Sequence, residues 1–438
     1  MKAHVLVMML LLSVFGIGGC QSGAGDEQRI TADSVVLKIW GGTPPETGPL
    51  EVINRWNRLN PHLQAEYIWF ENNETGNMKL ETAIVSGLGV DVFIGYNPEW
   101  LLKRIRSGMV EPLDPFLQAE PQNLEASIKA TIMKYGGNTY YLPASKTIEG
   151  ILINKDALDE IGEAVPEYGW TWDDYANLAK KLTKTEGSQT RYGTASNELT
   201  MAMATSSFGT YCFFNSDGKS NFDDPLWRKI LDIEHRLYET DHSAFPLEKM
   251  LTERIAPEEQ YLSGQAAMLY GTQLVRSVQN TSRFQQAFQT TVAPLPRLTT
   301  DHPGYNGYGA MDYMSISSQS KNKQAAWNFI SWYISDGFEA MAEYGRFPTW
   351  NSQRFNSFVS DYFNKHSDKF DVDAFRRLYA GDYRFFFPVA ITASEDIKKI
   401  LENETIKMIY NKQSPEETLL RLKERSDELI KKLYGFSP

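Results

Sequence analysis

Aromatic rings, amides and carboxylates stand in this chain at the ends of short apolar runs. Trp40, Gly42 and Thr43 close or follow the run Val35 to Trp40 (VVLKIW), and Tyr96, Asn97 and Glu99 follow Val90 to Ile94 (VDVFI). Tyr270 and Gln273 come after the segment QAAM, and Tyr308 and Met311 belong to the glycine-rich run GYNGYGAM. In an open α/β sheet, ligands sit in the crevice beyond the carboxyl ends of the strands. The residue mixture there suits a polyhydroxylated ring, whose hydroxyls take carboxylate and amide hydrogen bonds while its apolar face stacks on an aromatic. Packing alternatives stay open: Trp40 serves equally as a core tryptophan at a strand end, and the glycine-rich run as a flexible crossover.

Bond-breaking chemistry finds little support. HExxH, GxSxG, a phosphate-binding Walker loop, a dinucleotide glycine turn and paired-cysteine metal sites are all absent from the sequence. The six histidines are scattered, and His235 with His242 lacks ligand spacing. Neighbouring acids at Asp173-Asp174, Asp223-Asp224 and Glu258-Glu259 read as helix caps or solvated faces rather than as a glycosidase pair. No catalytic residue, cofactor or metal is expected.

The ends set the compartment. Lys2 precedes an apolar run from Val5 to Ile17 that closes on Gly18, Gly19 and Cys20, the pattern of a signal peptide over residues 1–19. The run is too short to span a bilayer, which takes roughly 20 apolar residues. Ile17-Gly18-Gly19-Cys20 resembles the lipobox of bacterial lipoproteins, which implies acylation of Cys20 and anchoring to the outer face of the cell membrane. Residues 20–34 are polar and rich in Gly, Ser, Asp and Glu, so they read as a flexible tether. Cys212 is the only other cysteine, which leaves no intramolecular disulfide and makes it a buried small hydrophobe. A formal charge of -11 argues against a nucleic-acid partner and against direct adsorption to anionic lipid.

The positioning elements alternate. Strands are expected at Val35 to Trp40, Ala65 to Phe70 and Val90 to Ile94, with helices at Leu50 to Leu59, Met78 to Val85 and Glu99 to Arg106. That order predicts an α/β protein with a parallel sheet flanked by helices. A helix is expected over Leu124 to Lys134, stopped by Gly136-Gly137, followed by extended Tyr140 to Pro143 and Gly150 to Asn154. Thr171-Trp172-Asp173-Asp174 reads as a capping box for a helix running to about Lys184. Helices are also expected over Lys155 to Ile161, Pro225 to Tyr238, Pro257 to Leu262 and Lys323 to Ser335, with Val292 to Arg297 extended. Two amphipathic helices split by Ser414-Pro415 fill Ser394 to Leu433 and are expected to cap a lobe.

The local motifs, in order, are LKIWGG, KLETAIVSGLGVDVF, GMVEPLDPFL, GNTYYLPASKTIEGILINKDALDEIG, TWDDYANLAKKL, YLSGQAAMLYG, SKNKQAAWNFISWYISD and EYGRFPTW. Over nearly the whole mature chain this series resembles the family 1 bacterial extracellular solute-binding proteins, the group that includes maltose-binding protein. The resemblance implies a type II fold of two α/β lobes, residues 35–147 with 298–342 and residues 150–295 with 346–438. Hinge crossings would fall near 147–150, 295–300 and 343–348. Arg346 and Trp350 flank the third crossing, where Arg346 could fork onto a ligand or form an ion pair. Two positions depart from the family pattern. Val90 stands where proline is usual, beside an Asp91 that is commonly structural, and Gln273 or Leu274 replaces a stacking tryptophan. The implied function is that of a monomer that captures a carbohydrate, an oligosaccharide by preference, and delivers it to the permease subunits of an ABC importer. A ligand-sensing module for a membrane histidine kinase and a secreted carbohydrate-active enzyme are the alternatives.

Overall fold

A computed structural model describes residues 35–434 apart from 121–122, 129, 131, 133, 197, 210–211, 216–217, 272–285, 308, 343, 345, 351–352 and 387–392. The expected signal segment, Cys20, the tether, Gln273 and Tyr308 lie outside the described residues. Two sheets organise the chain. The first is built from β1 (Val35–Gly41), β2 (Leu63–Trp69), β3 (Val92–Gly95), β6 (Leu142–Lys146), β12 (Met311–Ile316) and β13 (Phe347–Pro348), in the order β13-β6-β12-β3-β1-β2. β1 runs parallel to β2 and β3, whereas β12 is antiparallel to both β3 and β6. The second sheet has the order β11-β7-β10-β9-β8, made of β7 (Gly150–Asn154), β8 (Lys184–Glu186), β9 (Gln189–Ala195), β10 (Ala266–Tyr270) and β11 (Thr290–Pro294).

The inner strands β3 and β7 are buried on both faces, which explains why VDVFI and GILIN read as apolar runs, whereas β1 buries only the alternate residues Leu37, Ile39 and Gly41. Val92 and Ile94 face a core with Val52, Ile53 and Trp56 of the helix Pro49–Leu59 and Trp327 and Phe329 of the helix Lys323–Trp332. Phe93, between them, faces the opposite core with Leu80, Leu101 and Tyr313. The second sheet repeats the alternation: Ile151 and Ile153 enter one core and Leu152 the other. Each such fully buried side chain contributes roughly 1.5–3 kcal/mol. The C-terminal helices Ser394–Ile409 and Pro415–Tyr434 send Ile397, Leu401, Leu422 and Ile430 into the second lobe's core and cap it as expected.

The capping box forms as its residues predict, with Asp174 N donating to Thr171 Oγ1 at 3.2 Å and Thr171 N to Asp174 Oδ2 at 2.8 Å. The helix expected over 124–134 does not extend that far. It ends at Ser127, and β4 (Lys134–Tyr135) pairs with β5 (Asn138–Thr139) about Gly136 and Gly137. Both glycines have positive φ, 58° and 85°, the requirement of a two-residue hairpin turn rather than of a helix stop.

Three segments connect the lobes. The first lies between β6 and β7, at residues 147–149. The second comes later than 295–300, because Leu295 and Leu298 are still buried in the second lobe's core and Tyr305 N donates to Ser206 O. The chain returns to the first sheet with β12, which begins at Met311. The third also comes later than 343–348, since β13 adds to the edge of the first sheet and Trp350 still packs on the first lobe's core.

Candidate ligand cleft

A cavity of about 440 Å³ is lined from both lobes. Tyr96, Asn97 and Glu99 reach it because β3 ends at Gly95 and a new helix, Pro98–Arg106, begins two residues on. Asn97 caps that helix, its Oδ1 accepting from Glu99 N at 2.8 Å and Trp100 N at 3.1 Å. Proline at the first helical position needs no hydrogen-bond partner for its nitrogen, which sharpens the turn. Met311 and Tyr313 of β12 complete the first-lobe wall. Facing them are Met201 and Thr205 of the helix Leu199–Phe208, Phe213 and Phe214, and Ser394, Glu395 and Lys398 of the C-terminal helix.

The crossings form the floor. Thr147 and Glu149 line it, and Glu149 N donates to Asn306 O at 2.7 Å, binding the first crossing to the second. At Gly307 a Cβ would lie 2.2 Å from Thr147 O, and φ is +144°, so the segments approach to a distance that only glycine permits. Phe386 lies alongside, exchanging backbone hydrogen bonds with Gly307 and Gly309 while its side chain borders the cavity.

Electrostatically the cleft is uneven. The Glu99 carboxyl is pushed up to about 7, first by burial and then by Glu395 and Asp396 of the opposite lobe, against a lowering hydrogen bond from Ser394. Its protonation therefore changes near neutral pH. Burial raises the Cys212 thiol far above its ordinary range, which makes it an unreactive part of the wall. The chemistry on offer is hydrogen bonding to hydroxyls beside aromatic faces.

The other residues singled out by sequence have different positions. Gly42 and Thr43 brace Tyr96: its hydroxyl accepts from Gly42 N at 3.0 Å and lies 3.2 Å from Thr43 Oγ1. Trp40 packs against the first lobe's core, and Trp350 against its other face. Arg346 is held within the first lobe, its Nη1 2.8 Å from Asp312 Oδ2, which also accepts from Ser145 Oγ at 2.6 Å. Tyr270 borders a separate cavity in the second lobe. Asp91 is structural, receiving Lys38 N, Ser320 Oγ and Asn322 Nδ2. Sequence reasoning missed the second-lobe wall; the paired aromatics at Phe213-Phe214 and the run Phe385-Phe386 were its available signal.

Two mixed sheets, three crossings and a cleft between them define a type II solute-binding fold. The chain belongs to the bacterial extracellular solute-binding protein family, whose pattern matches residues 42–340. That membership places its work outside the cytoplasm. A maltotriose-binding protein of Pyrococcus abyssi is 23% identical over 301 residues, 64% of this chain but only 62% of that protein. The ABC substrate-binding protein Lmo0181 of Listeria monocytogenes, solved in complex with cycloalternan, superposes with a TM-score of 0.73 at 20% identity, covering 92% of this chain and 100% of that one. The sugar-binding protein MalE of Xanthomonas citri gives 0.72 at 18% identity, with coverage of 92% and 100%.

Proposed function

We propose that the protein captures a carbohydrate, an oligosaccharide by preference, in the inter-lobe cleft, and delivers it unchanged to an ABC-type importer. The observation that carries this reading is the cleft wall itself. Aromatic side chains Tyr96, Phe213, Phe214 and Phe386 stand among Asn97, Glu99 and Glu395, so ring faces and hydroxyls find partners from both lobes. The maltotriose bound by the Pyrococcus relative and the cycloalternan held by the Listeria protein support it.

Binding residues divided between two bodies make a closed state that ligand stabilises by differential affinity. The moving bodies would be residues 35–146 with 311–350 and residues 150–305 with 353–434, hinged at the three crossings. Acylated Cys20 would hold the body at the outer face of the cell membrane, within reach of the permease.

The test is a thermal-shift screen of the body from Ser22 against mono- and oligosaccharides. A ligand at about 100 times its dissociation constant stabilises the fold by roughly 2.7 kcal/mol. A selective shift with the sugar recovered intact is expected; no shift with any sugar removes the carbohydrate reading.

A further inference from the structure

The second lobe contains another cavity, of about 310 Å³, bounded by the helix Leu199–Phe208, the helix Pro225–His235 with the turn after it, the helix Leu247–Glu253 and the helix Ser394–Ile409. It adjoins the cleft without being part of it. Met201 and Thr205, one helical turn apart, and Lys398 border both cavities and form the partition. The volume is at the lower end of small-molecule sites.

Three side chains along this cavity carry buried oxygens that no hydrogen-bond partner satisfies: Glu234 Oε2, Thr200 Oγ1 and Thr405 Oγ1. Their residues are 2%, 5% and 6% exposed. Buried polar groups are nearly always paired, so three orphans beside one cavity mark a place where something else supplies the partners. Apolar surface from Leu247, Leu401, Ile406 and Ile409, with the ring of Tyr238, makes up the rest of the wall. At the rim, Lys398 Nζ is 4.0 Å from Glu402, so the cation there is already matched.

We propose that this cavity is a second binding site, for a small uncharged polyhydroxylated molecule the size of one sugar ring or a linear polyol. Its hydroxyls would both donate and accept, as two threonine hydroxyls and a protonated carboxyl require, and its carbon skeleton would lie against the aliphatic wall. Burial raises the Glu234 carboxyl to about 8, so it keeps its proton at neutral pH. The site is independent of what the cleft binds.

Equilibrium dialysis of the mature chain with labelled D-glucose and D-mannitol tests this, using variants on either side of the partition. Binding of at least one probe is expected to survive Phe386→Ala in the cleft and to be lost in Thr200→Val/Thr405→Val. It should also be lost in Leu251→Trp, which blocks a rim position that is 48% exposed and so spares the core. Glu234→Gln, which keeps a neutral hydrogen-bonding group, should retain binding within about threefold, a change of less than 1 kcal/mol. Three results overturn the proposal: no binding of either probe at millimolar concentration, loss that follows Phe386→Ala alone, or loss in Glu234→Gln, which would mark a cation site. Failure of the cleft reading is read separately, from oligosaccharide binding that Phe386→Ala leaves untouched.

Discussion

The hydroxyl of Tyr96 sits 3.0 Å from the backbone nitrogen of Gly42, tying the residue after β3 to the loop after β1. This bond sets the ring's place at the cleft wall and satisfies an amide beside the buried Thr43. Tyr96→Phe keeps the ring and strands the amide. A loss of about 1–3 kcal/mol in urea unfolding is expected, the cost of an unpaired buried donor. An unchanged midpoint would show that water reaches Gly42.

Glu99 predicts a pH dependence. Its carboxyl is raised to about 7 by burial and by Glu395 and Asp396, so the folded state holds the proton more tightly than the unfolded chain. The stability this contributes is full below the ordinary carboxylate range and is lost as pH rises through about 7. Glu99→Gln should therefore melt above the wild type at pH 8, with the difference vanishing toward pH 4. Melting curves at both pH values check the sign.

Asp312 receives Arg346 and Ser145 at a position that is 1% exposed, with a backbone φ of 51°. Asp312→Ala leaves the guanidinium without its counter-charge and should cost about 3–5 kcal/mol by denaturant unfolding. Arg346→Met with Asp312→Asn should recover part of that loss, because the pair's cost lies in breaking it on one side.

At Gly307 the expectation concerns the hinge. Alanine there would drive a Cβ into Thr147 O and hold a φ that L residues avoid. Gly307→Ala should destabilise by more than about 1 kcal/mol and weaken cleft binding together with stability. Gly218→Ala, where open space surrounds the Cβ, is the control for backbone strain alone. Equal effects at both sites would remove the hinge contact from the explanation.

The fold was legible wherever period and capping agreed. VDVFI and GILIN announced buried strands, and Thr171-Trp172-Asp173-Asp174 announced its helix, because their signals are local. Gly136-Gly137 misled because a glycine pair ends a helix and turns a hairpin equally well; only the pairing of Lys134 with Thr139 decides. The first-lobe half of the cleft was readable in Tyr96, Asn97, Glu99 and Met311, which follow or open strands. Met201, Thr205 and Lys398 were not, since they lie on helices whose role at the cleft depends on how two lobes meet. Arg346 and Trp350 looked available because sequence shows a cation and a ring but not Asp312 or the core that occupies them.

The place of β12 has a consequence for biosynthesis. It is an inner strand of the first sheet, between β3 and β6, yet it begins at Met311, after the whole strand set of the second lobe. Until that segment leaves the ribosome, β3 and β6 cannot be joined, and each presents an unpaired edge. The amino-terminal half of the molecule therefore waits for its carboxyl-terminal portion before it can become native. Because such long-range pairing slows folding, the first sheet closes late relative to the second lobe's strands.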